Sequence, residues 1–129
     1  MKVLLVDDDA DLRTIGSLSL TTVARWTVVL AASGQEAVEL ARQERPNVIL
    51  LDAMMPRLNG TGTFALLRAH EATAAIPIIF MTAKAQTRDL EQYLSLGAAG
   101  VISKPFDPMT LAARIVDILD STGGGPGSA

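Results

Sequence analysis

The chain has 129 residues, 49% of them hydrophobic and 19% charged, with a formal net charge of -3. That length suits one domain with a continuous core, and the apolar content is too high for a disordered chain. The absence of cysteine excludes disulfide scaffolds and thiolate chemistry, and 14 acidic against 11 basic residues, without a basic run, argue against direct nucleic-acid binding.

Residues 2–6 form an apolar run too short for a signal peptide, and Asp7, Asp8 and Asp9 close it at once. No apolar stretch reaches the ~18 residues of a membrane span, so a soluble, cytoplasmic protein with no membrane partner is expected despite a mean hydropathy of +0.31. Leu12 and Ile15 lead a first helix, with Leu18 close to the same stripe. A second run covers 26–31, opening on Trp26, which is read as packing. Ser33 and Glu36 then have capping-box spacing, and Ala37, Leu40 and Ala41 form an apolar stripe. After a third run at 48–51, residues 59–70 are helical in pattern. A fourth run at 77–81 precedes a helical segment at 86–96, with Gly97 placed as its C-cap. The fifth run is 99–102; beyond it Asp107 fits an N-cap, with Pro108 at the first helical position. Leu111, Ile115, Ile118 and Leu119 follow at helical period, and residues 122–129, rich in Gly, Pro and Ser, read as a flexible tail.

The five runs are apolar at every position rather than alternating, which is the pattern of strands buried on both faces of a parallel sheet. Five strands alternating with five helices predict an α/β domain, a (βα)5 doubly wound five-stranded parallel sheet with helices on both faces.

The polar residues gather where the runs end. Asp7, Asp8 and Asp9 follow the first, Asp52 the third and Thr82 the fourth, and Lys104 and Pro105 come shortly after the fifth. In an open parallel sheet these strand ends share one edge, where ligands bind, so residues distant in sequence are expected to converge. Carboxylates without His or Cys make a hard-oxygen site suited to Mg²⁺ or Mn²⁺ rather than zinc or copper. Lys104 adds a compact positive charge and Thr82 a hydroxyl donor; together they describe a phosphoryl-binding site in which an Asp can act as nucleophile. Taken singly, each residue has an ordinary explanation, and Asp9 fits an N-cap of the first helix. Four strand ends carrying complementary groups are harder to explain that way. His70, the only histidine, sits at a helix end with no ligand partner, and the thioethers of Met54 and Met55 are too soft for Mg²⁺.

These motifs resemble the receiver domain of two-component response regulators. The resemblance rests on Val3-Leu4-Leu5-Val6-Asp7-Asp8, on Val48-Ile49-Leu50-Leu51-Asp52 with Met55-Pro56 and Asn59-Gly60, on Met81-Thr82-Ala83, and on Gly97-Ala98-Ala99-Gly100 leading to Lys104-Pro105-Phe106. It implies a receiver over residues 1–121, with sheet order 2-1-3-4-5. It implies that Asp52 is the phosphoacceptor, taking a phosphoryl group from a phosphohistidine on a sensor histidine kinase or histidine phosphotransfer protein. Asp7, Asp8, Asp52 and the backbone carbonyl of Met54 would hold Mg²⁺; Thr82 and Lys104 would contact the phosphoryl oxygens. The Lys104–Pro105 bond is typically cis in such domains.

Many receivers carry Tyr or Phe on the fifth strand where this chain has Val101, so the switch position lacks a ring; Tyr93, on the preceding helix, is a substitute reporter or an ordinary half-buried residue. Met54 and Lys84 fall where the family varies its phosphoryl lifetime. By resemblance the switched surface is about residues 86–120, from Gln86 to Asp120. The residues after Asp120 are too few for an output segment, so the effect is expected to pass through a partner protein, a phosphorelay or a downstream domain. Two other classes compete. Asp7-Asp8-Asp9 with Thr82 and Lys104 looks like the haloacid-dehalogenase phosphohydrolases, but Asp11 stands where that family has Thr or Val, and Asp52 is left unexplained. A pseudo-receiver would use the fold for binding alone. The expectation is a phosphoacceptor switch, not an enzyme beyond its own phosphorylation and dephosphorylation.

Overall fold

A computed structural model describes residues 1–83 and 86–121. Five parallel strands, β1 (Lys2–Val6), β2 (Thr27–Ala31), β3 (Val48–Asp52), β4 (Ile78–Thr82) and β5 (Gly100–Ser103), make one sheet in the order β2-β1-β3-β4-β5. Helices α1 (Ala10–Thr22), α2 (Gly34–Glu44), α3 (Gly60–Ala69), α4 (Thr87–Leu96) and α5 (Leu111–Ser121) alternate with them. This is the doubly wound fold and strand order expected.

Side chains alternate along each strand and so build two cores. Leu4, Val6, Ile49, Leu51, Ile78 and Phe80 face α2, α3 and α4. Val3, Leu5, Leu50, Ile79, Met81 and Ile102 face α1 and α5. β1, β3 and β4 are buried along nearly their whole length, as apolar runs at every position require. β2 departs from that expectation: it lies at the sheet edge, only Ala31 is fully buried, and Leu30 is exposed.

Other boundaries shift by a residue or more. Trp26 lies just before β2, half-buried against the α1/α5 core, and its N–H donates to the Leu20 carbonyl at 3.1 Å. Asp52 and Thr82 are the last residues of β3 and β4 rather than the first residues after them. α5 begins at Leu111, three residues later than an N1 at Pro108; the Asp107 carboxylate instead closes a turn by accepting from the Met109 N–H at 2.9 Å. The α1 stripe is also corrected. Ile15 and Leu18 face outward, and the helix buries Gly16, Ser19 and Leu20. A Cβ at Gly16 would lie 2.7 Å from Leu5 Cδ2, so the missing side chain sets how closely α1 approaches the sheet, and Ser19 anchors that face by donating its hydroxyl to the Pro108 carbonyl.

The caps at Ser33 and Gly97 form as expected, unlike the one at Asp107. Ser33 Oγ accepts from the Glu36 N–H at 3.1 Å, and Glu36 reaches back one residue beyond the cap to the Ala32 N–H at 2.7 Å. Gly97 ends α4 in the left-handed conformation, φ 108°. His70 is exposed at the end of α3. Residues 122–129 and Lys84 lie outside the described residues.

Candidate functional site

The register brings the four strand ends level. Val6 pairs with Leu51, Asp52 with Met81, and Thr82 with Ser103, so Asp7, Asp52, Thr82 and Lys104 emerge along one edge. Asp7 and Asp52 are buried, Thr82 is 2% exposed and Asp8 is exposed. Asp7, Asp8, Asp9, Leu12, Asp52, Met54, Ala83 and Lys104 line an open depression of about 280 Å³ there.

Each acidic side chain has a distinct task. Asp9 is the N-cap of α1, accepting from the N–H groups of Asp11 at 2.9 Å and Leu12 at 3.4 Å. Asp7 points inward; one oxygen accepts from the Asp9 N–H at 2.9 Å and the other pairs with Lys104 Nζ at 2.7 Å. Asp52 accepts from the Met54 N–H at 3.2 Å and pairs with Lys104 Nζ at 3.1 Å. One ammonium therefore bridges two buried carboxylates. The Lys104–Pro105 peptide is cis, and the Lys104 N–H donates to the Thr82 carbonyl at 2.9 Å, extending the β4–β5 ladder to the site.

Burial raises the Asp52 pKa to about 6, and the Asp7 charge adds to the rise, while the Met54 N–H and Lys104 oppose it. Burial also disfavours charge on Lys104, but its hydrogen bonds to Asp7 and Asp52 outweigh that and hold its pKa above the usual lysine value. Carboxylate oxygens of Asp7, Asp8 and Asp52 lie within 4.8 Å of one another, close enough for one cation. An all-oxygen donor set with net negative charge fits Mg²⁺ or Mn²⁺.

Sequence reasoning missed Arg13. Its guanidinium donates to the Asp7 carbonyl at 2.7 Å and braces the β1–α1 loop. The signal was available: Arg13 stands one helical turn after the Asp9 cap, on the same side of α1. Val101 packs opposite Phe80 with no ring to contribute, whereas Tyr93 stacks on Phe80 with centroids 4.5 Å apart. Met54 is 65% exposed at the mouth of the depression.

The molecule is thus a doubly wound α/β domain with an aspartate, threonine and lysine cluster at the carboxyl edge of its sheet. Residues 3–116 match the response regulator receiver domain family, and the chain belongs to it. It is 40% identical over 118 residues to the probable transcriptional regulator ycf27 of Porphyridium aerugineum, covering 92% of this chain and 48% of that protein. It is 36% identical over 127 residues to the phosphate regulon transcriptional regulatory protein PhoB of Pseudomonas aeruginosa, covering 98% of this chain and 55% of that one. The chain thus spans about half the length of these relatives. Among solved structures, the chemotaxis protein CheY4 of Vibrio cholerae superposes with a TM-score of 0.84 at 32% identity, covering 92% of this chain and 98% of CheY4. Among the described residues, no helix is long and apolar enough to cross a membrane.

Proposed function

We propose that this receiver is a Mg²⁺-dependent phosphorylation switch in the cytoplasm, with Asp52 accepting a phosphoryl group from a phosphohistidine on a sensor histidine kinase or histidine phosphotransfer protein. The observation that carries this is the Lys104 ammonium bridging Asp7 and Asp52 at the carboxyl edge of the sheet, 2.7 and 3.1 Å away. An Asp52 carboxylate oxygen attacks phosphorus, the P–N bond breaks, and the imidazole leaves with the electron pair. Lys104 then exchanges one carboxylate for a phosphoryl oxygen, and the Thr82 hydroxyl donates to another. Asp7, Asp8, Asp52 and the Met54 carbonyl are the groups that would hold Mg²⁺, which supplies positive charge against the carboxylates and the incoming phosphoryl oxygens. In this reading the chemistry is confined to the chain's own phosphorylation and dephosphorylation.

Phosphorylation adds roughly -1 to -2 charges at the site and biases a surface spanning about residues 86–120, which meets a partner protein or output domain rather than nucleic acid or membrane. Intact mass of wild type and Asp52→Ala after incubation with Mg²⁺ and acetyl phosphate tests the reading. One phosphoryl addition in wild type alone is expected. No addition from either acetyl phosphate or a phosphohistidine donor would overturn it and leave a binding module.

A further inference from the structure

A row of rings joins β4 to the helices packed on it. Phe80 and Thr82 stand two apart on β4, so their side chains share the sheet face that carries α2, α3 and α4. Phe80 is fully buried and stacks between Phe64 of α3, at 5.6 Å, and Tyr93 of α4, at 4.5 Å. Its register partner on β5 is Val101, which adds no ring, so the ring contacts to Phe80 come from the helices, and from α4 through Tyr93.

α4 is loosely held by comparison with its neighbours. It contains no buried residue, and its N-cap Gln86 makes no side-chain capping hydrogen bond. Its attachment to the core runs through half-buried Leu90 and Tyr93. Elements with few buried apolar contacts are those whose position shifts most readily. The outer side of Tyr93 borders an open depression, lined also by Thr61, Gln92 and Leu96, that gives the ring room to move without displacing the sheet.

We propose that Tyr93, through its stack on Phe80, is the positioning residue by which α4 reads the position of Thr82 at the end of the same strand. This rests on Asp52 being the phosphoacceptor. Movement of Thr82 toward a phosphoryl group shifts the end of β4, Phe80 follows within the close-packed core, and α4 re-seats through the one ring that contacts Phe80 from that helix.

Tyr93 is the chain's only tyrosine, so 3-fluorotyrosine labelling yields a single fluorine resonance at this position. The full chain, treated with Mg²⁺ and acetyl phosphate, is read by fluorine NMR and intact mass on the same sample. The expected result is one phosphoryl addition together with a resonance displaced by more than its linewidth. Amide hydrogen exchange of α4 provides a second reading. Its change on phosphorylation should be present in wild type and Tyr93→Phe, and lost in Tyr93→Leu although that variant gains the same mass. A mass gain with an unmoved resonance, or an unchanged exchange response in Tyr93→Leu, overturns the relay alone. No mass gain in wild type overturns the phosphoacceptor reading and the relay with it.

Discussion

Asp52 is a carboxylate held where its charge is disfavoured. Burial and the Asp7 charge push its pKa from 3.8 to about 6, against the opposing pull of the Met54 N–H and Lys104. The folded-state value lies above the unfolded one, so this group's contribution to stability is fully present below about pH 4 and is lost as pH rises through about 6. Asp52→Asn removes that penalty and leaves Lys104 paired with Asp7 at 2.7 Å. In the absence of metal, the variant should be more stable than wild type by about 2 kcal/mol near pH 7.5, with little difference near pH 4. Urea unfolding with chelator at both pH values measures this; destabilisation near pH 7.5 would show that Asp52 is worth more to the fold as a charge partner than burial costs it.

The loop from β3 to α3 shows how an element fixes the site. Asn59 caps α3, accepting from the Gly62 N–H at 2.8 Å, while the Gly60 N–H donates to the Ala53 carbonyl at 3.2 Å and folds the loop back against the strand end. A Cβ at Gly60 would lie 2.6 Å from the Asp52 carbonyl oxygen and 2.7 Å from Ala53 Cα, backbone atoms that cannot turn aside. Gly60→Ala should therefore destabilise the fold by about 2–4 kcal/mol and slow Asp52 phosphorylation, read by urea unfolding and intact mass. Wild-type stability would show that the loop can relax. The Asn59-Gly60 pair was legible as a motif, but this close approach was not, because it depends on atoms of a strand end eight residues earlier. The start of α5 was misjudged for a related reason: Asp107 and Pro108 satisfy the local rules for a helix start, yet a turn through Thr110 intervenes, with the Pro108 carbonyl tied to Ser19 of α1. Local signals located the elements, and tertiary contacts chose their ends.

At the scale of the molecule, strand count and the convergence of Asp7, Asp52, Thr82 and Lys104 were legible because apolar runs and the residues ending them are local features that the parallel topology aligns, whereas the strand order came only from the family resemblance. The exposed side of edge strand β2, the outward Ile15 and Leu18, and Arg13 bracing Asp7 were less so, since each depends on which neighbour a face meets. The same topology would couple the proposed metal binding to folding. Asp7 and Asp8 follow β1 and Asp52 ends β3, and folding alone brings their oxygens within 4.8 Å. Three carboxylates face one lysine in the folded state, and a divalent cation would offset that excess negative charge in the native chain and not in the unfolded one. Mg²⁺ should then raise unfolding free energy near pH 7.5 by about 2.7 kcal/mol at a hundredfold excess over its dissociation constant. The gain should shrink as pH falls through about 6, where Asp52 takes up a proton in the metal-free fold. Asp8→Asn discriminates: Asp8 is exposed, so its loss should change metal-free stability by no more than about 0.5 kcal/mol while removing most of the Mg²⁺-dependent gain. Urea unfolding across a Mg²⁺ series measures both, and an equal gain in wild type and Asp8→Asn would place the cation somewhere other than this carboxylate cluster.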